Sequence, residues 1–151
     1  MKIAIASDHA GYPLKKKLAE TLKKNGYELL DLSGDNPDPE DDYPDFAKAV
    51  ALSVAEKKVE RAVLICGSGV GANVAANKVP GARACVCHDT FSARQGVEDD
   101  DMNVLCLGGR IIGEELAKEI LKTFLAARFS NAERHLRRLK KVLSIEKEFT
   151  K

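Results

Sequence analysis

The sequence has no apolar run approaching the roughly 20 residues that a membrane-spanning helix needs. Its start, Met1-Lys2-Ile3-Ala4-Ile5-Ala6-Ser7-Asp8, reaches an acid before a secretory apolar core can form, so a cytoplasmic location is expected. Charge of one sign is also missing, since 24 Lys and Arg against 23 Asp and Glu leave a formal net charge of +1. A surface built chiefly for a nucleic-acid backbone or an anionic membrane is therefore not expected, and any polyanion site must be local. Only 5 prolines and 11 glycines accompany 44% hydrophobic residues, which excludes disordered, collagen-like and mucin-like classes. The four cysteines, Cys66, Cys85, Cys87 and Cys106, form no C-x-x-C pair, so neither a disulfide framework nor a zinc knuckle is suggested. Buried reduced thiols are expected for all but Cys66. No repeat, linker or low-complexity tract interrupts the 151 residues, a length that suits one domain over 1–151.

What is present is a regular alternation. Five short apolar, β-branched-rich runs read as strands: Lys2 to Ala6, Tyr27 to Leu32, Ala62 to Cys66, Ala84 to Cys87 and Val104 to Leu107. They are continuous rather than alternating, as in parallel strands covered on both faces. A first helix starts near Tyr12-Pro13, carries a Leu14, Leu18, Leu22 stripe and stops at Asn25-Gly26. Further helices are expected over 43–57, 70–77, 90–95, 114–127 and 132–148, and the acidic, proline-containing stretch 34–42 reads as a surface loop. The predicted class is α/β, a Rossmann-like doubly wound five-stranded parallel sheet with an additional C-terminal helix. On that helix Ala132, Leu136, Leu139 and Leu143 share one side, while Arg134, Arg138 and Lys141 form a basic stripe. The stripe is a solvated face unless an anion site lies nearby.

Ligands of open parallel sheets collect beyond the carboxyl ends of the strands. Those ends carry Ser7-Asp8-His9, Cys66-Gly67-Ser68-Gly69-Val70-Gly71, His88-Asp89 and Gly108-Gly109-Arg110. If strands one and three are neighbours, as in the flavodoxin-like order, Asp8, His9 and Cys66 share a crevice. The glycines from Gly67 to Gly71 let backbone N–H groups approach an anion unobstructed by Cβ atoms. Gly67, Gly69 and Ala72 also fit the G-x-G-x-x-A dinucleotide pattern, with Asp89 as the ribose-binding acid. Against that rival, the pattern follows the third strand rather than the first, and Cys66 stands directly before it. A thiol beside oriented N–H groups suits a nucleophile or general base, and equally a small core residue. Asp8 and His9 suit either a site or a cap for the first helix. His88 and His135 read as solvated or hydrogen-bonded histidines, and Glu98-Asp99-Asp100-Asp101 as a solvated loop, so no metal site is expected.

The stretches KIAIASDHAGYPLK, DDYPDFA, LICGSGVGANVAANKVPGARA, NVLCLGGRIIG and RHLRRL occur in order over nearly the whole chain. Together they resemble the type B ribose-5-phosphate isomerases and their galactose-6-phosphate isomerase relatives. The resemblance implies a cofactor-free aldose–ketose isomerase of the pentose phosphate pathway, converting D-ribose 5-phosphate to D-ribulose 5-phosphate through a cis-enediolate. It also implies a homodimer or tetramer with active sites between subunits, and no nucleic-acid or membrane partner. By the same resemblance Cys66 is the general base, and Gly67, Ser68, Gly69 and Gly71 form the anion hole. Asp8 and Tyr43 contact the sugar. His9, Arg134 and Arg138 bind phosphate, with His135 and Arg110 as weaker members of that group. One position departs from the pattern. Where many relatives have a His that assists furanose opening, this chain has Asp99, and a neighbouring amide position is Asp100. A carboxylate is then expected to shuttle the ring-opening proton. The alternatives are an isomerase of a six-carbon phosphosugar such as allose or galactose 6-phosphate, and a phosphosugar-binding protein without catalysis.

Overall fold

Strands and helices alternate along residues 1–151, all described by the computed structural model. In chain order they are β1 (Lys2–Ser7), α1 (Tyr12–Lys24), β2 (Glu28–Asp31), α2 (Tyr43–Ala55), β3 (Arg61–Cys66), α3 (Val70–Ala76), β4 (Ala84–Val86), α4 (Thr90–Asp100), β5 (Val104–Gly108), α5 (Glu114–Ala126) and α6 (Glu133–Phe149). No helix is long and apolar enough to cross a membrane. All strand pairings are parallel, in the order β2-β1-β3-β5-β4. Strands one and three are neighbours as expected, but the outer pair departs from the flavodoxin-like order, because β5 lies inside and β4 forms the edge. Burial fits that arrangement: β5 is buried throughout, whereas β4 has three residues and exposes Cys85.

This exchange decides which helices lie on which face. Right-handed crossovers put a helix on one face when the chain steps outward and on the other when it steps back. The return from β4 to β5 therefore places α4 with α1 and α5. Ile3, Ile5, Leu18, Val97, Leu105 and Phe124 belong to the core on that face, and Ala4, Ala6, Val50, Leu64, Ala72 and Cys106 to the core under α2 and α3. The α1 stripe of Leu14, Leu18 and Leu22 is buried as read from its spacing.

Two helices differ from expectation. Helix α4 runs five residues past Gln95, because Ala93 and Val97, four apart, are both fully buried and only Asp101, in the left-handed region at φ 52, stops the turn. The acidic run thus forms a helix C-terminus instead of a loop, where the peptide dipoles disfavour negative charge. Two nearby cations offset this, Arg94 pairing with Glu98 at 2.9 Å and Arg83 with Asp101 at 3.0 Å, while His135 stands 3.3 Å from Asp99. Helix α6 buries only His135, leaving Leu136, Val142, Leu143, Ile145 and Phe149 exposed. It starts beside the end of α4, where the Ser130 N–H donates to the Glu98 carbonyl at 3.0 Å, and reaches the segment before β4, where the Gly81 N–H donates to Glu146 at 3.1 Å. Both anchors are at the amino ends of strands, so α6 lies across that end of the sheet.

Candidate active site

The opposite, carboxyl end holds a cavity of about 330 Å³ lined by Asp8, Tyr43, Cys66, Gly67, Ser68, Gly71, Arg110 and Ile111. The sheet register explains the gathering. Cys66 is opposite Gly108, Ser7 opposite Ile65, and the chain leaves these neighbouring strands through the segments that carry Asp8, Gly67 and Arg110. Backbone bonds tie the exits together: the Asp8 N–H donates to Ile65 O at 3.3 Å, Gly109 N–H to Cys66 O at 2.8 Å, and Arg110 N–H to Gly67 O at 3.0 Å.

The Cys66 side chain is 4% exposed, and its sulfur accepts the Gly69 N–H at 3.1 Å. It is therefore neither sealed in hydrocarbon nor turned from the cavity. Two glycines of the loop are required by geometry. Gly69 has φ 83, and a Cβ there would lie 2.9 Å from the Leu107 carbonyl carbon; a Cβ on Gly71 would lie 2.6 Å from Cζ of Tyr43. The loop can consequently bring main-chain donors and the Tyr43 ring to one small volume.

Asp8 is buried, and one of its carboxylate oxygens accepts the Gly11 N–H at 2.9 Å, so it braces the entry to α1 while lining the cavity. His9 does not cap α1. Its Nδ1 is 2.6 Å from Asp41 Oδ1, and its backbone N–H donates to the same oxygen at 3.1 Å. The Asp41 bond raises the His9 pKa above its usual 6.5, against burial and the nearby Arg110 charge, with Asp41 and Asp8 adding attraction. Arg110 adjoins the glycine loop, its Nη1 3.4 Å from where a Gly67 Cβ would lie, and its charge acts on His9. Asp41 was hidden from sequence reading inside the acidic loop, and only its place two residues before Tyr43 hinted at a role.

The loop bearing Asp41 is held by Lys15, whose buried ammonium donates to Asp31, Ser33 Oγ and the Gly34 carbonyl. Burial works against ionised Asp31, but bonds from Lys15 and from the Ser33 and Gly34 N–H groups outweigh it and hold its pKa below the usual carboxylate range. Asp8, His9 and Asp41 offer three metal-ligating atoms within 4.8 Å of one another, yet His9 and Asp41 are already bonded to each other and both carboxylates accept backbone N–H groups.

The remaining candidates lie elsewhere in the chain. Asp99, Asp100, Arg134, His135 and Arg138 occupy the end of α4 and the start of α6, a strand length of roughly 15–20 Å from the cavity. Arg134 and Arg138 are exposed, one helical turn apart. His135 is buried, with Nδ1 2.5 Å from Ser130 Oγ and Nε2 facing Asp99. His88 accepts the Gly108 N–H on Nε2 at 2.9 Å, the hydrogen-bonded role expected of it. Asp89 caps α4 by accepting the Ser92 N–H at 2.7 Å, and β5 separates its strand from β3, so the dinucleotide reading loses its ribose acid. Cys87 and Cys106 are buried, but Cys85 is exposed, contrary to expectation, because β4 is the edge. A hydrogen bond with Cys87 lowers the Cys85 thiol to about 7.

A sulfur, a loop of main-chain donors and an arginine at strand ends are groups that can together move a proton on a small anionic molecule. Residues 3–142 match the Ribose/Galactose Isomerase family, and the chain belongs to it; it is an isomerase. The chain is 46% identical to ribose-5-phosphate isomerase B of Clostridium thermocellum, with TM-score 0.95 over 99% of this chain and 100% of that one. The Mycoplasma genitalium ribose-5-phosphate isomerase B, solved with bound ribulose-5-phosphate, is 41% identical, with TM-score 0.92 over 97% of both chains. D-erythrulose-4-phosphate isomerase of Pectobacterium atrosepticum is 40% identical over 85% of each chain.

Proposed function

We propose that this chain interconverts D-ribose 5-phosphate and D-ribulose 5-phosphate through a cis-enediolate, with Cys66 moving the proton between C1 and C2. The observation that carries this reading is the Cys66 sulfur at 3.1 Å from the Gly69 N–H, on the wall of a cavity shared with Ser68 and Gly71. A carbon beside a carbonyl loses its proton readily only if the charge arriving on oxygen meets fixed donors, so base and donors must face the same two carbons. The Gly67, Ser68, Gly69 and Gly71 loop supplies those donors. Asp8 and Tyr43 hold the sugar hydroxyls, and His9 and Arg110 receive the phosphate from one side.

The other half of the site comes from a second copy of the chain. The partner subunit's Arg134 and Arg138 complete the phosphate clamp, its Asp99 opens the furanose ring, and its Asp100 and His135 lie beside them. Two features support this assembly. Those residues lie at the far end of their own sheet, out of reach of their own Cys66, and the same helix exposes Leu136, Val142, Leu143, Ile145 and Phe149 without an intrachain cover. Paired guanidinium groups one turn apart fit a phosphate dianion through several charge-assisted bonds. The fold is read as one domain acting in a cytoplasmic dimer or tetramer, without a cofactor.

Replacing Cys66 by Ala is expected to lower turnover by roughly a thousandfold, on the scale of a lost acid–base group, while phosphate-ester binding by calorimetry is kept. Wild-type-like turnover in Cys66→Ala rejects the assignment. A panel of four-, five- and six-carbon phosphosugars assigns the substrate. The five-carbon pair should have the highest kcat/KM, and preference for a tetrose or hexose phosphate would move the proposal to that sugar.

A further inference from the structure

A chain of polar contacts joins the far end of α4 to the start of α6. Ser130 is fixed by its N–H on the Glu98 carbonyl, and its Oγ accepts the Ala132 N–H at 3.1 Å while standing 2.5 Å from His135 Nδ1. The ring is thereby oriented so that Nε2 faces Asp99 Oδ1 at 3.3 Å. The His135 side chain is 7% exposed and that of Asp99 is 30% exposed, so the imidazole is shielded while the carboxylate keeps a free edge. The pair stands at ion-pair distance without a hydrogen bond, and because a carboxylate only accepts, a proton passing between the two must come from Nε2. In the imidazolium, and in the neutral ring left when Nε2 gives up its proton, Nδ1 keeps its hydrogen, so Ser130 Oγ accepts from it in both states and the ring need not move.

We propose that His135 is a positioning residue that lends Asp99 a proton, so that the buried imidazole and the carboxylate act together as the ring-opening group. This rests on the isomerase reading above. An ionised carboxylate by itself has no proton to give to a leaving ring oxygen. With one proton from His135 on Asp99, the step balances within one group. The carboxylic acid donates its proton to ring oxygen O4 as the C1–O4 bond breaks. Its other oxygen takes the O1 hydroxyl proton as C1=O1 forms. Asp99 ends protonated as it began and returns the proton to His135. His135 itself touches no substrate.

The test separates ring opening from enediolate chemistry. Ribulose 5-phosphate cannot close a furanose, because its O5 is esterified, so exchange of its C1 hydrogen with D2O bypasses ring opening. His135→Asn is expected to lower turnover of ribose 5-phosphate by roughly tenfold or more, as for loss of a general acid, and to leave the exchange rate on ribulose 5-phosphate within about twofold. Ser130→Ala, which keeps the ring but removes the acceptor that orients Nδ1, should show the same split to a smaller degree. In Asp99→His the imidazole at position 99 carries its own proton, so adding His135→Asn should cost no more than about twofold. Equal losses in turnover and exchange, undiminished turnover in both His135→Asn and Ser130→Ala, or a double variant as slow as His135→Asn would each overturn the proposal. A wild-type protein that neither isomerises nor exchanges would instead remove the isomerase reading on which it rests.

Discussion

The two ends of the sheet differ in how complete they are. At the carboxyl end each candidate side chain has a partner within the chain: His9 is held by Asp41, Asp8 accepts the Gly11 N–H, and Cys66 accepts the Gly69 N–H. At the amino end α6 exposes an apolar stripe and Arg134 and Arg138, while Asp99 keeps a free edge. The first region is built to do chemistry, and the second is built to be used by something else. The symmetric pair of chains proposed above would resolve the contrast, because a two-fold axis can bring each unfinished end to the other chain's finished one.

The sharpest way to break that comparison is to damage the two ends separately. Cys66→Ala and Arg138→Ala should each be nearly inactive at substrate levels that saturate the wild type. Mixed and allowed to exchange subunits, they should recover about a quarter of wild-type activity, since half of random dimers are mixed and each has one intact site. If all site residues act within one chain, mixing restores nothing. The unshared apolar stripe supplies a control: Leu143→Asp in both variants places a charge in the surface expected to associate, and should abolish the recovery together with dimer mass in light scattering.

How far this division could be read from sequence depends on the range of the contacts involved. Cys66, the glycine loop and Asp8-His9 were legible because each follows an apolar run directly, and strand ends of parallel sheets are where sites collect. The strand exchange was not, because nothing local to Val104–Gly108 says whether it lies beside β3 or at the edge; that is decided by comparing burial among all five strands. The miss carries over to α4, since its place beside α5 and α6 follows from the exchange, and with it the approach of His135 to Asp99. Asp41 was missed for the same reason, being 32 residues from His9 and looking like any acid in a polar loop.

A smaller effect concerns the support under the finished end. Lys15 is buried and neutralises Asp31 at 2.9 Å. Lys15→Met leaves Asp31 without its cation, and unfolding should become easier by about 2 kcal/mol. This is below the usual cost of breaking a buried pair, because Asp31 is partly exposed and water screens it. A melting shift of roughly 4–8 °C would follow for a chain of this size. The folded Asp31 pKa is lowered, so the pair's contribution is present above the ordinary carboxylate value and is lost as pH falls through the lowered one. Lys15→Met should therefore melt closer to the wild type in strong acid than at neutral pH, and an equal gap at both would assign the loss to packing.

The finest distinction lies within the finished end, between His9 and the Asp41 that holds it. The Asp41 bond keeps His9 protonated to higher pH than a free imidazole, despite burial and the Arg110 charge. In the proposed site a protonated His9 attracts phosphate, so the contribution of His9 to affinity is present below its free value of 6.5 and is lost as pH rises through the raised folded value. The pair's contribution to folding has the same sign, being present below the free value and lost above the raised one. Asp41→Asn removes the cause of the shift while keeping an acceptor oxygen for the His9 N–H, so the decline should move to lower pH. Inorganic phosphate is the simplest probe, as a competitive inhibitor. Its Ki should match between wild type and Asp41→Asn at pH 5.5 and be a few-fold weaker in the variant between pH 7 and 7.5, with kcat little changed because Cys66 and its loop are untouched. A constant ratio across that range would show that Asp41 shapes the loop without setting the charge on His9.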